Sequence, residues 1–205
     1  MTTLLQLRRR TRSRLGVLVS DQFFDDGVLD DHINLAIDAI QSDHRWPWLE
    51  TFKTISTVAG QDNYSLPDDW FAARGLYIGD DELPLIAPSD LMIRPTDHSG
   101  RPEVWAVVNN KVYVRPLPAG VYPMNLLYYR GVQDLENDDD TLDMPNQFSP
   151  AVVAKAAELL SLREDDRGAA GAHAAEYAEW LQRMRRSVRR TTGPVRIRVR
   201  EGSWV

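Results

Sequence analysis

The chain has 205 residues, 43% apolar and 26% charged, an ordinary globular balance that excludes wholesale disorder and a fibrous fold and leaves room for one ample core. No run approaches the roughly 18 apolar residues of a membrane helix, and the apolar TLLQL precedes the first arginines, the reverse of the order in a secretory leader. Zero cysteines removes disulfide frameworks, thiol catalysis and cysteine-ligated zinc, and agrees with a protein made and kept in a cytosol.

The net charge of −6 conceals a segregation. Residues 1–15 carry five arginines and no acid, residues 181–205 carry eight arginines and one acid, and residues 16–180 hold 11 basic and 29 acidic side chains. Both ends are basic and the body is acidic. Such an arrangement fits termini that meet an anionic surface, which is nucleic acid, a neighbouring copy or another protein; it fits arginine-rich solvated helix faces equally well.

In chain order, TLLQLRRRTRSRL reads as a basic helix with a thin apolar stripe of Leu4, Leu7 and Leu15, ended by Gly16. Leu29, Ile33, Ala36, Ile37 and Ile40 then recur at helical spacing, with Asp25 or Asp26 as the cap. This second helix ends near His44, because Pro47 disfavours helical geometry at Trp46. Trp46, Pro47 and Trp48 mark a helix-to-sheet junction, where large aromatics bury area against both elements and fix their angle.

From Thr51 the pattern turns to short runs rich in Thr, Val and Tyr: TFKTISTVA, YSLP, RGLYI, LPLI, PEVWAVV, KVYVR and YPMNLLYYR. Asn109-Asn110 predicts a tight hairpin and PSDLM a single helical turn. These pieces make a small antiparallel sheet. After the acidic QDLENDDDTLDMPNQF, Ser149-Pro150 predicts a capped helix start, with Val152, Val153, Ala156, Leu159 and Leu160 buried. A break at EDDRG precedes a last helix with Tyr177, Trp180, Leu181, Met184 and Val188 facing inward.

The expected fold class is therefore α+β. Helices in 1–50 and 134–192 complete one bundle, an antiparallel β subdomain occupies 51–133, and 193–205 is an extended partner-binding tail. In that tail, beyond Gly193-Pro194, Val195, Ile197 and Val199 alternate with Arg196, Arg198 and Arg200, ahead of Trp204. An extended strand would present one apolar and one cationic face. It either joins the protein's own sheet at an edge or docks on a partner by strand addition, and its terminal position beyond a breaker favours the second.

Motifs for chemistry are absent. The acidic pairs fall in loops and at helix starts, where they cap or meet the helix dipole. DLENDDDTLD lacks the glycine and terminal glutamate of a calcium loop, and His32, His44, His98 and His173 are too scattered for a two-histidine metal motif. No phosphate-cradling glycine loop or nucleophile elbow occurs. The expectation is no enzyme, no cofactor and no metal.

The segments INLAIDAIQSDHRWPWLE, TISTVAGQDNYSLPDDW, PEVWAVVNNKVYVRPLPAGVYPMNLLYYRG and DMPNQFSPAVVAKAAELL resemble, in content and order, the head-to-tail adaptor (connector) proteins of tailed bacteriophages. The resemblance runs over roughly residues 4–190. It implies a non-enzymatic ring of about twelve copies at the neck of the virion, made in the host cytoplasm. In that picture the ring attaches to the portal protein, extends the DNA channel toward the next tail or neck component, and touches DNA at most transiently. Val195, Arg196, Ile197, Arg198, Val199, Arg200 and Trp204 occupy the place of the family's portal-gripping segment. The alternative is a nucleic-acid-binding regulator that uses its arginine-rich termini.

Overall fold

A computed structural model of the chain describes residues 1–19, 21–96 and 98–191, with side chains described through residue 188. The extended tail from residue 193, with every residue assigned to it, lies outside the described residues. The architecture is α+β, and the chain divides into two compact units, residues 1–44 with 134–205 and residues 45–133.

The first unit is helical. α1 spans Leu4–Leu15; Thr3 and Gln6 form a reciprocal capping box at its start, and Gly16 ends it in the left-handed region at φ 71°. α2 spans Asp26–Asp43, and its cap is Asp25, whose carboxylate accepts from the Val28 N–H at 2.8 Å. The apolar stripe Leu29, Ile33, Ala36, Ile37 and Ile40 is buried throughout, as the helical spacing requires.

α4 and α5 span Ser149–Arg163 and Arg167–Thr191, α3 being the short helix of the second unit described below. α4 packs against α5, α2 and α1 and so forms the centre of the unit. Its alanines and valines are small enough for close approach on several sides: Ala151, Val152, Ala156, Ala157 and Leu160 are all fully buried. Two details depart from expectation. Ser149 is the first helical residue rather than the cap, because a 3-10 turn over Asn146–Phe148 runs straight into the helix and leaves Phe148 in the cap position. On α5 only Met184 and Val188 of the expected stripe are buried, whereas Tyr177, Trp180 and Leu181, like Leu159 on α4, are half-buried. A long helix that packs on essentially one neighbour lets wide side chains spread across its flank.

The acidic loop is fastened to this unit. The Asn34 side chain donates to the Leu135 carbonyl and accepts from the Leu135 N–H, at 3.2 and 3.0 Å. The Leu4 and Leu5 amides at the start of α1 donate to the carbonyls of Asp140 and Asp138, so the loop also satisfies orphan donors of a helix N-terminus.

The second unit is β-rich. β1 (Glu50–Ser56), β3 (Trp70–Ile78), β4 (Asp81–Leu83) and β9 (Pro123–Arg130) form an antiparallel sheet in the order β1-β9-β3-β4. β2 (Asn63–Ser65), β6 (Val104–Val108) and β7 (Lys111–Arg115) form a second antiparallel sheet, β2-β7-β6. A parallel pair joins β5 (Ser99–Gly100) to β8 (Leu117–Pro118), the latter within the segment that reads as a proline-rich loop. Most of the β content is thus divided between two antiparallel sheets facing a common core. Leu76, Ile78, Met124, Leu126 and Tyr128 come from one sheet and Tyr64, Trp105, Val112 and Val114 from the other.

Asn109 and Asn110 turn β6 into β7 with φ of 48° and 58°, the two-residue hairpin their side chains tolerate. The short helix α3 (Pro88–Met92) lays Leu91 against Val104 and Ala106.

Candidate functional site

The arginines of α1 divide into two sets by helical phase. Arg8 and Arg12 share the buried face with Leu4, Leu7 and Thr11. Arg8 grips Asp30 with two parallel bonds, Nε to Oδ1 at 2.5 Å and Nη2 to Oδ2 at 2.7 Å, and its Nη1 donates to Asp138 at 2.5 Å. Arg12 donates through Nη2 to Asp26 at 2.7 Å and to the Phe24 carbonyl at 3.1 Å. Asp26 and Asp30 lie one turn apart on α2, so two cations on one helix meet two carboxylates on the next. The bond to Asp30, against the cost of burial, holds the Arg8 proton even more firmly than usual.

These two residues were hidden in the sequence inside a run that reads as a solvated basic face. The signal that finds them is their phase: Arg8 and Arg12 fall on the Leu4 and Leu15 side of the helix, and Asp26 and Asp30 repeat at the same interval.

The second set faces a groove. Arg9, Arg10, Ser13 and Arg14 of α1, Asn146 to Pro150, Val153 and Ala154 at the start of α4, and Glu176 of α5 line a cleft of ≈ 770 Å³. Arg10 donates to Ser149 Oγ at 2.8 Å, and that hydroxyl donates on to the Asn146 carbonyl at 2.9 Å. Arg14 pairs with Glu176. Arg9 is exposed and makes no hydrogen bond or ion pair among the described residues. Near the groove, burial and then the Arg14 charge push the His173 imidazole down, so it is uncharged at neutral pH and adds nothing to the cationic character. Chemically the groove has a cationic rim over an apolar floor of Pro150, Val153 and Ala154, suited to an anionic group carried beside an aliphatic one.

In the second unit Trp46 is 1% exposed and stacks on Trp48 with ring centroids 4.8 Å apart. Pro47 opens a 3-10 turn over Pro47–Leu49, closed by the Leu49 N–H donating to the Trp46 carbonyl at 3.0 Å, and this turn packs on β9. The pair is well-packed aromatic structure.

A polar cleft of ≈ 520 Å³ contains Lys53, Asp68, Asp69 and Tyr128. Tyr128 Oη donates to Asp69 at 2.8 Å, and burial followed by the Asp69 charge pushes its phenol up to about 12. That bond ties the loop before β3 to β9. An apolar cleft of ≈ 350 Å³ is bordered by the half-exposed Phe71 and Leu85.

Among the described residues no group of three or more histidines, aspartates and glutamates is placed to hold a metal ion, and no helix is long and apolar enough to cross a membrane. The acidic loop is occupied in holding itself together. Asp140 accepts from the Glu136 and Asn137 amides at 2.8 Å each, which keeps its carboxyl below the usual range.

The family model for the SU10 adaptor protein matches residues 2–198, nearly the full length. The chain belongs to the SU10 adaptor protein family. Its role is that of a bacteriophage structural adaptor, a component of the virion that associates with other virion components. A search of curated proteins gave no match.

Proposed function

We propose that this adaptor assembles into a ring at the neck of the virion, attaches to the portal protein ring, and extends the DNA channel toward the next tail or neck component. The observation that carries the reading is the family match across both units and into the tail. Such a protein acts by geometry alone, without cofactor or turnover.

The portal contact is assigned to the tail, with Val195, Ile197 and Val199 on one side of an added strand, Arg196, Arg198 and Arg200 on the other, and Trp204 beyond. Burying three aliphatic side chains contributes roughly 5 to 8 kcal/mol, similar to the cost of ordering the tail and losing free tumbling, about 4 to 15 kcal/mol. A single tail therefore binds weakly, and about twelve on one ring bind firmly through effective concentration. Trp46, Pro47 and Trp48 are assigned the role of an aromatic anchor at the start of the β-rich unit, where their turn packs on β9.

The nucleic-acid reading is disfavoured by the fate of Arg8 and Arg12, whose charges are spent on Asp26, Asp30 and Asp138. The test is co-sedimentation with purified portal rings. The full chain is expected to pellet with portal, and a chain lacking residues 194–205 is expected to keep its circular dichroism and lose attachment. Loss of folding on that deletion, or attachment undiminished by it, overturns the assignment.

A further inference from the structure

α2 carries an outward stripe opposite in character to the arginine groove. Asp31, Leu35 and Asp38 recur at i, i+4 and i+7, and all three are exposed, Leu35 by 54%. Unlike Asp26 and Asp30 on the same helix, neither Asp31 nor Asp38 makes an ion pair or hydrogen bond among the described residues. Asp134, held beside α2 by the Asn34–Leu135 bonds, lies close enough to raise the proton affinity of Asp38, after the larger effect of burial. The stripe is an aliphatic knob between two carboxylates, neither of which has a cationic partner among the described residues.

The groove supplies what this stripe lacks. Its floor of Pro150, Val153 and Ala154 is apolar and its rim carries Arg9 and Arg10, of which Arg9 is unpaired among the described residues. We infer that the occupant of the groove is the α2 face of a second copy of this chain, with Leu35 seated against the partly exposed Pro150 at the groove's apolar floor, Asp31 paired with Arg9 and Asp38 paired with Arg10. A contact between two different faces of identical chains is heterologous, and it closes into a ring when the rotation per copy permits. Charge complementarity sets the register and the encounter rate, and the leucine supplies apolar burial. The alternative occupant, a phosphate backbone, matches the rim but has nothing for the apolar floor. This inference rests on the ring reading above and names the surfaces that build it.

The test uses charge reversal in the full chain. One variant carries Arg9→Glu and Arg10→Glu; the other carries Asp31→Lys and Asp38→Lys. Each alone brings like charges together at every contact and is expected to weaken self-association at least about tenfold in sedimentation velocity at low salt. An equimolar mixture is expected to restore it, because both kinds of contact then join opposite charges. Arg9→Glu alone removes no bond among the described residues and serves if the double variant folds poorly.

Because the chain has no cysteine, Arg9→Cys combined with Asp31→Cys in one chain is expected to give a ladder of disulfide-linked multimers on oxidation, in purified protein or assembled particles. Four results overturn the inference. Reversed variants that assemble like the parent, or a lysine-reactive ladder without a disulfide ladder, remove these faces and leave the ring. Absence of any multimer in either assay, in solution and in particles, removes the ring as well. Loss of duplex DNA binding in Arg9→Glu with self-association unchanged assigns the groove to nucleic acid.

Discussion

Replacing Arg8 with Met tests whether the pairing between α1 and α2 holds the helical unit together. The Arg8 side chain is 8% exposed and Asp30 19%, so removing the guanidinium strands a largely desolvated carboxylate. Breaking a fully buried pair costs about 3 to 5 kcal/mol. Asp30 keeps some access to water, and Asp138, at 64%, is readily resolvated, so the cost is shifted down by about 1 kcal/mol from that range, to about 2 to 4 kcal/mol. At about 2 to 4 °C per kcal/mol for a chain of this size, thermal unfolding should fall by roughly 5 to 15 °C.

The assay is calorimetry or circular dichroism melting of three variants beside the parent. Arg8→Met is expected to show the full loss, and the exposed Arg9→Met to stay within about 0.5 kcal/mol. Arg8→Met with Asp30→Leu is expected to recover most of the deficit, because a matched apolar pair of similar volume leaves no buried charge. An Arg8→Met protein as stable as the parent, or a double variant no better than the single one, would refute the reasoning.

Two further expectations concern single side chains. Thr57, 1% exposed, donates to the Gly120 carbonyl and accepts from the Tyr122 N–H, both at 2.7 Å; Thr57→Val keeps the shape, orphans both groups, and should cost about 1 to 3 kcal/mol in urea unfolding with an unchanged slope, while Thr57→Ser should cost less. Burial, and then Asp43 and Glu158, push the Tyr177 phenol from 10.0 up to about 12. The folded state therefore holds this proton more tightly than the unfolded chain. The resulting stability is fully present below pH 10 and is lost as pH rises toward 12. Tyr177→Phe should flatten that part of the stability–pH curve, and an unchanged curve would show that the phenol ionises normally in the fold.

The sequence by itself determined the helices and the longer strands. Apolar spacing marked α2, the Asp25 or Asp26 cap and Pro47 placed its ends to within a residue, Gly16 marked the stop of α1, and Asn109-Asn110 marked the hairpin, because each is decided by local periodicity or backbone sterics that no partner can alter. It also carried the family, since punctuation such as Trp-Pro-Trp and Pro-Leu-Pro is recorded in order along the chain.

Only the tertiary structure decided pairing. β1 lies beside β9 across the whole insert, and the β runs separate into two sheets over one core, because alternation specifies which face of a strand is apolar but not which strand it meets. The same limit explains the arginines of α1. Composition counts Arg8 and Arg9 alike, yet one helical step turns the first toward Asp30 and leaves the second at the rim of the groove, and that difference in environment exists only once α2 and α4 are packed against α1.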